Sequence, residues 1–61
     1  SGNKEDRTWN AGEKIHHSKW GEGIIRSVMP IAHGDVQLEL LFIDGQVKTV
    51  MASLAPLQRL Q

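Results

Sequence analysis

Val36, Leu38, Leu40 and Phe42 alternate with Gln37, Glu39 and Leu41, and this period of two constrains the chain more than any other feature. Side chains of a strand point alternately to opposite faces, so the run is a strand with one buried face. Around it the apolar residues fall in short runs broken by turn-forming residues. Lys14 to His17 is a brief first strand with Ile15 inward, and Ser18 to Gly23 is a turn with two glycines. Ile24 to Met29 is a second strand, and Pro30 to Asp35, with Pro, Gly and Asp and no periodicity, is a loop. After the alternating strand, Asp44-Gly45 marks a tight hairpin and Val47 to Met51 runs back antiparallel. Ala52 to Ala55 is long enough for one helical turn, which Pro56 closes, and Leu57 to Leu60 is the last strand. The expectation is an all-β fold of five short strands closing into a small barrel that leaves no exposed edge, with one short helical turn before the last strand.

The 61 residues leave little to spare for anything but this core. A domain of this size buries only about 60% of the surface its unfolded chain exposes. Cysteine is absent, so neither disulfides nor a thiolate metal site can staple the fold. From Ser1 to Thr8 no apolar side chain occurs, and residues 1–8 read as a disordered leader, with Asn3 to Arg7 a tether from a preceding part of a longer protein. Residues 9–61 are the folded domain. No run approaches the ~18 apolar residues of a membrane span, and no secretory pattern occurs, which points to a cytoplasmic protein with no membrane partner.

Catalysis finds no support in the residues. The hydroxyls of Ser18, Ser27, Thr49 and Ser53 lie in no nucleophile motif, and Glu13, Glu22, Glu39 and Asp44 fall on turns or solvent faces. His16 and His17 are neighbours on a strand and point to opposite faces, so they cannot chelate one ion together, and His33 lies in a loop. The expectation is one histidine packed at the barrel rim, one in solvent, no metal and no cofactor in this domain. Seven basic and seven acidic residues cancel, so no global field draws the chain to nucleic acid. Lys14, Lys19, Arg26 and Lys48 with Trp20 allow at most a weak auxiliary DNA contact. A methyl-lysine cage needs several aromatic faces, and Trp9, Trp20 and Phe42 are the only aromatic rings besides histidine.

The segment from Gly12 to Gly23 is the most specific local signal: Gly12-Glu13, then His17, then Lys19-Trp20-Gly21, one residue, and Gly23 leading into Ile24-Ile25. The glycines permit positive φ or a close backbone approach where the first strand turns into the second. This arrangement resembles the C-terminal Tudor-like domain of the UvrD and PcrA family of bacterial superfamily-one DNA helicases. The resemblance continues through Leu38 to Phe42, Val47-Lys48 and Met51 to Leu57, nearly the whole ordered chain. The same opening is also similar to the polymerase-interacting domains of the CarD and Mfd families; Lys48 and the closing Ala55-Pro56-Leu57 favour the helicases. The chain departs from the helicase pattern at Gln46, where glycine is more usual, at Thr49, and in the glycine-poor loop from Pro30 to Asp35.

The resemblance implies an SH3-like or Tudor barrel that docks a DNA-repair helicase on the β subunit of RNA polymerase, coupling repair to transcription. The chain is then a monomeric, non-catalytic module, and ATP and magnesium belong to the helicase motor. Lys48 matches the family lysine implicated in polymerase contact, although it also reads as an outward lysine protecting a strand edge. Trp20 is either an interface anchor or a cap on the core. Lys19 and Arg26 are rim charges for steering, and Glu22 completes the expected partner-binding set while supporting the turn, as does His17. Leu54 and Leu57 are expected in the core.

Overall fold

The computed structural model describes residues 8–60, so the leader expected over residues 1–8 lies, apart from Thr8, outside the described residues. Five strands form: β1 Lys14–His17, β2 Gly21–Pro30, β3 Val36–Phe42, β4 Val47–Met51 and β5 Leu57–Arg59. β3 forms where its alternation places it, and Leu38, Leu40 and Phe42 are buried with Ile15 and Ile25 as the centre of the core. Trp9, Val28, Val36, Val50, Ala52 and Leu57 pack around them.

All pairings are antiparallel, in the order β4-β3-β2-β1-β5. The sheet is not closed, which corrects the expectation of a barrel without edges: among the described residues β4 and β5 are both edge strands. Val50 on β4 and Leu57 on β5 nevertheless pack on one cluster, so the sheet curls around its core.

The curl has a local cause in β2. Ile25 pairs with Leu40 and Ser27 with Glu39, which leaves Arg26 as an extra bulged residue. The bulge restores the core phase, so that Ile25 and Val28, three apart, both turn inward. The ladder also starts earlier than the two-glycine turn predicts. The turn is confined to Ser18, Lys19 and Trp20, while Gly21 and Gly23 lie within β2.

The two glycines act differently. Gly21 takes φ +86°, whereas at Gly23 an added Cβ would stand 2.8 Å from the Leu41 carbonyl oxygen and 2.8 Å from Phe42 Cδ1. Gly23 is therefore required by close approach to β3. The hairpin joining β3 to β4 takes three residues, Ile43 to Gly45, with Gly45 at φ +89°. Its bonds are Gly45 N–H to the Phe42 carbonyl and Phe42 N–H to the Gln46 carbonyl, both 2.9 Å.

The loop after β2 carries a short 3-10 helix, Ala32–Gly34, where sequence periodicity predicts no regular structure. Residues 52–55 form one turn, with Leu54 and Ala55 N–H both donating to the Met51 carbonyl at 3.0 Å. That turn points Leu54 into solvent, 76% exposed, which corrects its expected place in the core; Leu57 is half-buried. Asp35 ties loop to turn: its carboxylate accepts Val36 N–H at 2.8 Å, Ser53 N–H at 3.1 Å and the Ser53 hydroxyl at 2.5 Å. Those bonds, the hydroxyl's first, hold the Asp35 pKa below its ordinary value. Arg59 ties β5 to the start of the described residues, lying 4.4 Å over the Trp9 ring, 3.1 Å from Glu13 and bonded to the Thr8 carbonyl.

Candidate partner-binding site

Register decides where Lys48 points. Lys48 pairs with Leu40 and Val50 with Leu38, and directly opposed residues share a face, so Lys48 lies on the core side of β4. This corrects its reading as an outward lysine. The outward positions of β4 are Val47, Thr49 and Met51, all exposed. Lys48 sits near the hairpin end, where the core gives way to the Ser18–Trp20 turn, and its Nζ stands 4.7 Å over the Trp20 ring. An inward charge of this kind also discourages indiscriminate edge pairing.

Trp20 is held from behind. Its ring stacks on His17 with centroids 4.1 Å apart and meets Phe42 edge-on at 5.7 Å. His17 is only 5% exposed, whereas Trp20 is 38% exposed, so one histidine is packed at the rim as expected and the tryptophan is both cap and surface. His16, on the other face, is half-buried. His17 Nδ1 accepts the N–H of Lys19 at 3.0 Å and of Trp20 at 3.3 Å. Burial first, then the charges of His16 and Lys19, lower the His17 pKa below its ordinary 6.5.

Together these residues form an open notch of about 270 Å³ lined by Lys19, Trp20, Phe42, Asp44, Gln46 and Lys48. Asp44 Oδ1 is engaged by Gln46 N–H at 3.0 Å. The notch thus offers an aromatic wall, two ammonium groups and a polar floor. Of the residues singled out from sequence, it brings together Lys48, Trp20 and Lys19. Glu22 and Arg26 lie elsewhere: Arg26 pairs with Glu39 at 3.7 Å across the opposite face, and Glu22 lines a second cleft with Lys14, Ile24, Leu41, Ile43 and Leu60. His17 supports the turn, as the sequence reading has it, through the two bonds its Nδ1 accepts; sequence reasoning missed Phe42 as a wall and Asp44 and Gln46 as lining. The wall follows only from the pairing of Phe42 with Gly23.

Among the described residues a free edge adjoins the notch. Phe42 bonds Gln46 and Ala52 N–H bonds the Val36 carbonyl, which sets the alternation of the β3–β4 ladder. Leu40–Lys48 and Leu38–Val50 are then the hydrogen-bonded pairs, and the N–H and C=O groups of Val47 and Thr49 face away from β3. On the outer face the exposed Ile24, Leu41 and Val47 form one row across β2, β3 and β4, ending at that edge. Among the described residues no group of three or more His, Cys, Asp or Glu is placed to hold a metal, and no helix is long and apolar enough to cross a membrane.

The family profile of the PcrA/UvrD tudor domain matches residues 11–59. The chain belongs to this family. The tudor-domain match runs from just ahead of β1 through β5, so the notch and the free edge both lie inside it. Among similar proteins are the ATP-dependent DNA helicase PcrA of Staphylococcus aureus, 33% identical over 51 residues, and that of Leuconostoc citreum, 36% identical over 55 residues. These alignments cover 84% and 90% of this chain and 7% of each relative. The tudor domain therefore spans a small fraction of the length of the helicases it matches.

Proposed function

We propose that this tudor domain is a non-catalytic docking module of an ATP-dependent DNA helicase, which it seats on bacterial RNA polymerase through the β subunit and so couples repair to transcription. The observation that carries the reading is the Lys48 ammonium, held over Trp20 beside the unpaired main chain of Val47 and Thr49. An extended segment of the partner adds to β4 as a sixth strand, its main chain meeting those free groups. Its side chains then alternate between the two faces of the sheet. On the core side one of them, a carboxylate, meets Lys48; on the outer side apolar ones extend the row of Ile24, Leu41 and Val47. Lys19 at the rim steers the encounter. The domain works as a monomer in the bacterial cytoplasm, and nucleotide and magnesium are bound by the motor.

Salt dependence tests this against an accessory role in DNA binding. Two lysines on phosphates would give log K a slope of about −2 against log salt, and little affinity besides. Binding to polymerase core enzyme is expected to persist, after nuclease treatment, across the range from about 50 to 200 mM salt, with duplex DNA bound far more weakly. Tighter binding to duplex than to polymerase would overturn the docking role.

A further inference from the structure

His17 is the one buried residue of the described chain with a polar side chain, and nothing in the docking reading uses it. A nitrogen that accepts two N–H donors carries no proton, so the neutral ring holds its proton on Nε2. Protonation of Nδ1 would set three donors against one another and strand the Lys19 and Trp20 amides together. The charged surroundings offer no relief. His16 lies behind on β1, Lys19 in the turn, Lys48 on β4 across the Trp20 ring, and Asp44 in the hairpin, where Gln46 N–H engages it. Gly21 and Leu57, the partners of His17 on β2 and β5, bring no charge, and neither does Phe42 from β3. Glu22 lies opposite His16.

We propose that neutral His17 is the positioning residue of the notch: its bare Nδ1 fixes the Ser18–Trp20 turn and sets the Trp20 ring under Lys48, and protonating that nitrogen frees the ring and weakens partner binding. The loss of binding rests on the docking role argued above; the control of Trp20 does not. The direction with pH follows from burial and the neighbouring cations, which favour the neutral ring in the fold. In the fold the ring therefore stays neutral as pH falls past the ordinary 6.5, and the support is lost as pH falls through the lower folded value.

Nuclear magnetic resonance on this chain reads the imidazole tautomer and the Trp20 indole from about pH 8 to 5, and affinity for polymerase core enzyme is measured over the acid-stable part of that range. The Nε2–H tautomer is expected, with the Trp20 indole shifting in step with His17. Wild-type affinity falls by up to about tenfold per pH unit below that folded value, the limit for one linked proton. His17→Asn, whose Oδ1 accepts but takes no proton, loses that slope; His17→Phe, a ring with no acceptor, binds weakly at every pH. A proton on Nδ1, an indole that stays still while His17 titrates, or equal slopes for wild type and His17→Asn would overturn the proposal. If no protein binds polymerase at any pH, the docking role falls, and the tautomer and indole shifts alone decide whether His17 holds Trp20.

Discussion

At the residue scale the two glycines of β2 answer two different demands on the backbone, Gly21 a positive φ and Gly23 a close approach to β3. Their spacing marks a place where backbone must bend or approach closely, and both happen, one at each glycine. Which glycine does which is decided by β3, because only the pairing of Gly23 with Phe42 brings a carbonyl and a ring against the missing Cβ. Gly23→Ala forces a 2.8 Å contact with backbone that cannot swing aside. It is expected to cost about 1–3 kcal/mol, which in a domain this small lowers the melting temperature by at least ~4 °C. Thermal unfolding followed by circular dichroism checks it, and an unchanged midpoint would mean that β2 and β3 lie farther apart. Lys48 was legible as special but not in its direction. Val47, Val50 and Met51 set no clear alternation in β4, and only the three-residue hairpin fixes the phase. Leu54 read as core because it is apolar; the turn bonds to the Met51 carbonyl point it outward.

At the element scale β1, β3 and β4 were legible to the residue, since each is short and bounded by turn chemistry. β2 was not. Its bulge at Arg26 breaks the alternation that would have marked its length, and its first residues pair with β1 although they read as turn. The same ladder logic separates two substitutions one residue apart on β4. The Thr49 N–H faces the open edge, so Thr49→Pro leaves the ladder intact, whereas Val50→Pro removes a bond to β3 and unfolds the sheet. Thr49→Pro is expected to fold yet lose polymerase binding, because an added strand needs that donor. A folded Thr49→Pro that binds like wild type, with folding checked by amide spectra, would rule out main-chain pairing at β4.

At the scale of the whole molecule, the absence of net charge and of cysteine already confined the chain to a small apolar core with local recognition, and the five strands were legible. What sequence could not supply was the relation between the ends of the sheet. β4 and β5 share the core without bonding each other, and the curl that brings β4 over the Ser18–Trp20 turn depends on a bulge invisible in the composition. That curl joins Lys48 to Trp20 and leaves Arg26 and Glu22 outside the notch. Lys48 does little for the fold, since a partly exposed cation over a ring contributes about 0.5–1 kcal/mol. In the proposed docking it meets a partner carboxylate, and truncating one member of a desolvated pair costs about 2–5 kcal/mol. Calorimetric titration of the polymerase β subunit with wild type and Lys48→Ala is therefore the most direct test of docking. The expected result is a loss of at least about 30-fold in affinity with a melting temperature within a few degrees of wild type; equal affinities for the two proteins would contradict it.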